Sequence, residues 1–178
     1  MREMLTYRLP DATKITLRPA RPDDAAAIIA AVRSSSQDRS YVLMEIYGKD
    51  AAAQQAYIER LDREHNLFLV ATVNEQVVGI LALLDSLLCS TPEPALSVGV
   101  HIVRDWRGHG IGSAMLRYAM RWAKGHEYRR LEADIFTTNE RSVHLFNKAG
   151  FREEACRRRS VQVGVQNISE VILAKSLP

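Results

Sequence analysis

The feature that most limits what this chain can become is a glycine-studded turn set between an apolar strand and an amphipathic helix. Residues 95–103 are rich in strand formers, and Arg107-Gly108-His109-Gly110-Ile111-Gly112 follows shortly after. Beyond it Ile111, Met115, Tyr118, Ala119 and Trp122 recur at the spacing of one helix face, with Arg117, Arg121 and Lys124 on the other. Gly125 is expected to close that helix. A strand that passes through such a turn into a helix gathers unpaired backbone N–H groups and the positive end of a helix dipole at one point. Such a point binds phosphate. The glycines permit close approach and unusual backbone angles, and Arg104 and Arg107 add positive charge. Spacing excludes two alternatives: a dinucleotide fingerprint begun at Gly108 needs glycine where Ser113 stands, and no Gly-Lys-Ser/Thr forms a P-loop.

The rest of the chain reads as mixed α/β. Residues 14–18 alternate and are followed by Pro19, which predicts a first strand. Pro22, Asp23 and Asp24 suit a helix start, and the run from Ala25 to Val32 favours a helix. A second helix is predicted over 50–61, and residues 39–49 between the two stay undecided. Strands are predicted over 67–71 and 77–84, with a hairpin turn at Asn74-Glu75-Gln76. Further on, 130–136 reads as a strand, 140–149 as a helix ended by Gly150, and 151–163 and 167–174 as two last strands. Neither a repeat nor a low-complexity linker interrupts the 178 residues, so a single domain over 1–178 is the expectation.

Composition narrows the class. With 47% apolar and 25% charged residues, the chain has neither the hydrophobic deficit of disorder nor the long apolar run of a spanning helix, so no membrane partner is expected. The N-terminal residues lack the apolar core of a secretory signal, and the two cysteines, Cys89 and Cys156, are too few for a disulfide framework. A reducing, cytoplasmic setting follows as the expectation. The 24 Lys and Arg against 21 Asp and Glu leave +3, weak ground for nucleic acid, and none is expected as a partner. Arg157-Arg158-Arg159 reads as solvated charge. Neither the two cysteines nor any pair of histidines has metal-ligand spacing, so no metal is expected.

Two stretches carry a resemblance. The run from Val100 to Gly112 resembles the pyrophosphate-binding motif of the GNAT superfamily of N-acetyltransferases, Gln/Arg-x-x-Gly-x-Gly/Ala. The run from Asn139 to Phe151 resembles that family's later motif, in which Asn opens a helix and Gly-Phe ends it. The resemblance implies a mixed, mostly antiparallel central sheet flanked by helices, with the strand, glycine turn and helix at its centre. It implies acetyl-CoA as acyl donor and an amine acceptor. Val100, His101 and Ile102 would offer strand backbone to the pantetheine arm. Arg107, Gly108, His109, Gly110, Ile111, Gly112 and Ser113 would cradle the pyrophosphate, and Asn139 would contact the pantetheine or order the site. Arg141 and Lys148 are weaker partners for the nucleotide end. Dimers are common in that family, so a homodimer stays open.

Acyl transfer to an amine needs a neutral nucleophile, a polarised carbonyl and a proton for the departing thiolate. Some members of the family take a base from the strand before the turn, but the matching positions here are Leu96 and Val98, which cannot act. Others use the next strand, which points to Asp134 as the base. Many relatives place a Tyr where this chain has Phe146, which has no proton to give; Ser142, Tyr128 and Cys156 are the remaining donors. Tyr41 and Glu45, in the undecided segment, are candidates to hold a cationic acceptor. The expected activity is acetylation of a primary amine on a small, amino-acid-like metabolite. The alternatives are a protein N-terminal or lysine acetyltransferase, and an acyl-CoA-binding regulatory module with little catalysis.

Overall fold

Two apolar runs, Leu67–Val73 (β3) and Gln76–Asp85 (β4), dictate the architecture, because every residue of the first and all but the ends of the second are buried. Strands with no polar face must be covered on both sides. The computed structural model describes residues 4–9, 11–34, 50–85, 95–163 and 166–178. Eight strands form one sheet in the order β1-β2-β3-β4-β5-β6-β8-β7. They are β1 (Leu5–Arg8), β2 (Lys14–Pro19), β3, β4, β5 (Ala95–Ile102), β6 (Arg130–Phe136), β7 (Arg152–Val163) and β8 (Gln166–Ser176). Every neighbouring pair is antiparallel except β5 and β6. The expected fold class is the observed one.

On one face lie α1 (Ala25–Ser34) and α2 (Ala51–Arg60), packing Ile28, Ile29, Val32 and Ile58 against Phe68, Val70 and Ile80. On the other, α3 (Ile111–Gly125) and α4 (Glu140–Lys148) cover Leu69, Leu81, Leu83 and Leu96. Alternate residues of β3 thus feed opposite cores, as the two-residue period of a strand requires. α1 is entered through a 3-10 turn, Pro22–Asp24. There Asp24 takes two hydrogen bonds from Arg18, at 2.6 and 2.8 Å, and one from the Arg21 amide at 2.7 Å. Burial opposes the Asp24 charge, but these donors outweigh it and hold the carboxyl below its ordinary value.

Three local outcomes depart from the sequence reading. β1 precedes the predicted first strand; it is four residues long and at the sheet edge, so only Leu5 and Tyr7 turn inward, too short a period to stand out. α3 ends at Gly125 as expected, but the left-handed residue that follows is Glu127, at φ 64°, rather than the glycine. The β3–β4 hairpin turns on Asn74 and Glu75, both with positive φ, while Gln76 already belongs to β4. No described helix is long and apolar enough to cross a membrane.

Candidate active site

β5 and β6 run side by side only at Ala95–Arg130, Leu96–Leu131 and Ser97–Glu132. Beyond those pairs they diverge, and a cleft of about 1190 Å³ opens between them. It is lined by residues 98–102 of β5, the glycine turn, the start of α3, residues 134–136 of β6 and one side of α4. Leu96 and Val98 pack into the core, Val98 also bordering the cleft, and neither carries a group that could take a proton. His101 points to the opposite face. It is 4% exposed, and its Nε2 lies 3.3 Å from the carbonyl oxygen of Ala31 in α1. Burial, with the Arg107 charge adding to it, holds this imidazole below its ordinary value despite that hydrogen bond. His101 can therefore meet a ligand in the cleft through its backbone.

The turn is tied to β5 by Arg107, whose Nε donates to the Ile102 carbonyl oxygen at 3.0 Å. Gly108 and Gly110 have φ of +82° and +80°, and a Cβ at either would meet no atom within 4 Å. Their glycine is demanded by backbone conformation, and the space above them is open. The first helical bond of α3 runs from the Ala114 amide to the Gly110 oxygen at 3.0 Å, so the amides of Ile111, Gly112 and Ser113 are the free donors of a helix start. Gly112 serves differently: a Cβ there would come within 3.0 Å of Leu145, which is how closely α3 and α4 approach. Asn139 caps α4, its side chain accepting from the Ser142 amide at 3.2 Å. All of the turn residues from Arg107 to Ser113 except His109 line the cleft, together with Arg104, Asn139, Arg141 and Lys148. His109 is exposed beside them, its ring 6.0 Å from Trp106. Arg117, Arg121 and Lys124 instead line the outer face of α3, and Arg130 is held by Glu132 and Glu154.

Asp134 lies on β6 where the strands have parted, lining the cleft with its side chain 42% exposed. Partial burial pushes its carboxyl above the ordinary value, Arg157 pulls it back, and Glu170 and Glu132 push it up again. Phe146 is 1% exposed, edge-on to Phe151 at 5.0 Å, so the position is a core contact that also borders the cleft. Of the remaining proton donors only Ser142 lines the cleft. Tyr128 donates to the His65 carbonyl oxygen at 3.2 Å, and Cys156 is exposed on β7. Tyr41 and Glu45 lie outside the described residues, as does Cys89. Sequence reasoning missed Arg157, read as solvated charge; the signal was Asp134 itself, whose cross-strand neighbours follow once β8 and β7 are aligned beside β6.

Comparison with known proteins decides the lineage. The model of the acetyltransferase (GNAT) family matches residues 30–151, more than half of the chain. This chain belongs to the GNAT family. A relative from Methanocaldococcus jannaschii, named as an uncharacterized N-acetyltransferase, is 28% identical over 111 residues, 61% of this chain and 49% of that protein. A Bacillus subtilis protein with a provisional phosphinothricin acetyltransferase name is 43% identical over 56 residues, 32% of this chain and 34% of that protein. The chain thus spans about half the length, or less, of the curated relatives it matches. An N-acetyltransferase structure from Staphylococcus aureus has the same fold, with TM-score 0.80, 21% identity and coverage of 92% of this chain and 99% of that one. RimJ of Mycobacterium smegmatis, solved with CoA-disulfide, follows with TM-score 0.73, 21% identity and coverage of 97% and 86%.

The residues of this GNAT cleft suit acetyl-CoA. The open space over Gly108 and Gly110, beside the Ile111 to Ser113 amides, fits a pyrophosphate, and the edge of β5 past Ser97 offers backbone to an amide-bearing arm. Arg104, Arg141 and Lys148 supply positive charge around the same opening. Among the described residues no group of three His, Cys, Asp or Glu could hold a metal ion.

Proposed function

We propose that this chain is an N-acetyltransferase that moves an acetyl group from acetyl-CoA to a primary amine of a small, amino-acid-like metabolite. The observation that carries the reading is the glycine turn at the mouth of the β5–β6 fork, with two left-handed glycines open above and three helix-start amides beside them. The fork brings that turn and Asp134 to one cleft. Acetyl-CoA, when bound, supplies a thioester whose acyl carbon bonds to the amine nitrogen as the C–S bond breaks, with one amine proton passing in sum to the CoA sulfur. The chain's own part is to orient and to move protons. The Ile111, Gly112 and Ser113 amides hold the phosphate, and the β5 backbone from Val100 to Ile102 aligns the arm. Asp134 accepts the proton of the incoming ammonium, through a water where its short side chain does not reach. Its raised carboxyl brings it nearer to the neutral range in which a general base works best. Ser142, at the cleft wall, is the described hydroxyl nearest in role to a thiolate proton donor.

The small acceptor is supported by the provisional phosphinothricin acetyltransferase name of the Bacillus subtilis relative. An exposed thiol at Cys156 suits a cytoplasmic setting. The acyl-CoA-binding module stands as a second reading on one observation, the apolar, buried Phe146 where a proton donor is expected. Thiol release from acetyl-CoA separates the two when measured across polyamines, amino acids, aminoglycosides and N-terminal peptides, with product mass confirmed. A turned-over amine establishes the enzyme. Tight acetyl-CoA binding with no turnover on any amine supports the module and sinks the enzyme.

A further inference from the structure

α1 and α2 cover one side of the sheet, and on that same side β6, β8 and β7 carry a shelf of charged side chains. Opposite residues of an antiparallel pair point the same way. Phe136 pairs with Glu170 and Glu170 with Arg157, while Asp134 pairs with Ile172 and Ile172 with Ala155. This register places Asp134, Glu170 and Arg157 on one face at the open end of the fork. Arg157 is brought there by an irregularity in β7, whose register on β8 shifts between Glu153 and Ala155 and slips again between Arg157 and Val161. Arg159 takes φ 51° in the slip, and its amide donates to Ser169 Oγ at 3.0 Å. Bulges of this kind re-aim side chains, and edge strands carry them beside functional sites.

The result is a guanidinium nitrogen 3.4 Å from Asp134 Oδ1, with the two side chains 54% and 42% exposed. So open an ion pair adds little to stability. The neighbouring charges have closer partners: Arg130 holds Glu132 and Glu154, and Glu170 accepts from Ser160 Oγ at 2.7 Å. A guanidinium has a planar fork of donors matched to a carboxylate, and the contact to Asp134 uses one edge of it. A carboxylate and a guanidinium therefore stand side by side at the mouth of the acyl-transfer cleft, the pattern that receives an ammonium and an anion separated by a short spacer.

We infer that Arg157 is a specificity-determining residue that receives the carboxylate of an acceptor whose amine lies at Asp134, so that the substrates are amino acids rather than polyamines or peptide N-termini. The inference rests on the acetyl-transfer reading proposed above. An amino acid brings its own anion within reach of Arg157 as its ammonium meets Asp134. A polyamine brings a second cation instead, which Arg157 repels. A peptide N-terminus has an amide where the carboxylate should be.

The test compares each protein amino acid with its carboxamide and its decarboxylated amine, plus spermidine and a tripeptide, by thiol release with the wild type, Arg157→Gln and Arg157→Lys. For the wild type the acids are the better substrates of each matched set. Arg157→Gln loses about tenfold or more in kcat/KM on acids, the worth of a hydrogen bond to a charged group, and mainly through KM, whereas the amides change by less than about threefold. Arg157→Lys recovers part of the loss. The acid limb of the pH–rate profile moves to higher pH in Arg157→Gln on acids and amides alike, because Asp134 loses a positive neighbour; the KM loss is confined to the acids, which a merely structural arginine would not produce. Equal use of acids and amides, equal losses on both in Arg157→Gln, or spermidine as the best acceptor with a gain on removing Arg157 would each overturn the inference alone. Silence of the wild type on every amine, with acetyl-CoA bound, would instead overturn the transfer reading and this inference with it.

Discussion

Substitution of Gly110 separates the two demands placed on the glycine turn. A Cβ at this residue meets no atom within 4 Å, so the cost to folding is that of backbone conformation at φ +80°. A non-glycine residue in that region costs about 1–2 kcal/mol, near the lower end for Asn and Asp. In a chain of 178 residues each kcal/mol lowers the melting temperature by about 2–4 °C. Gly110→Asn and Gly110→Asp share this loss and nearly the same bulk; they differ by one negative charge. A carboxylate about 4 Å from a phosphate charge costs about 1 kcal/mol in water and about 4 kcal/mol at a protein surface, or about fivefold to a thousandfold in affinity. Thermal denaturation with and without acetyl-CoA reads both effects. At a concentration about 100 times Kd the wild type gains about 2.7 kcal/mol, or roughly 5–10 °C. After a hundredfold weakening the same concentration yields about 0.4 kcal/mol, or roughly 1 °C. Asp is expected to abolish most of the ligand-induced shift and Asn to keep more of it. A wild-type shift in Gly110→Asp would remove phosphate from this turn, and equal losses in the two variants would refute the charge argument.

Asp134→Asn is expected to lower kcat by about a hundredfold or more and to erase the acid limb of the pH–rate profile, while calorimetry finds acetyl-CoA affinity unchanged; an unaltered profile would acquit Asp134. His101 is held below its ordinary value, so the unfolded chain takes up a proton first as pH falls. Stability should therefore drop below about pH 6.5, and urea midpoints at pH 7.5 and 5.5 should differ less in His101→Gln than in the wild type. Asp24→Ala leaves Arg18, 8% exposed, without its carboxylate, and should cost about 3–5 kcal/mol in urea denaturation. In the wild type the Asp24 contribution is present above the ordinary aspartate range and is lost only as pH falls through its lowered native pKa, a strong-acid loss that the Ala variant should lack.

The glycine-turn half of the proposed site was legible because its geometry is local. Gly108, Gly110 and the amides of Ile111 to Ser113 are neighbours in the chain, and a positive φ or a free helix-start amide is a property of consecutive residues. The strands of the core were legible for a similar reason, since β3 and the body of β4 are dense in apolar residues and joined by a two-residue turn. The acceptor side was not, because it is assembled across strands. Arg157 reaches Asp134 only through the registers of β6 on β8 and β8 on β7, and through a slip in the second that no periodicity announces. His101 could be assigned to the far face from its phase along β5, but its partner, the Ala31 carbonyl oxygen, is 70 residues away. β1 escaped because two inward side chains on an edge strand make no pattern.

The parting of β5 and β6 has a mechanical meaning. Five strands and three strands meet at a seam of Ala95–Arg130, Leu96–Leu131 and Ser97–Glu132, so the sheet is a clasp with a short hinge rather than a continuous plate. Past the hinge each leaf presents an unfinished edge, and an extended ligand rich in amides that lies in the gap becomes a borrowed strand. Its arrival should fasten the leaves together. Slow amide exchange would then spread in both directions from the gap, into β4 on one leaf and β8 on the other, as the two halves begin to open and close as one body.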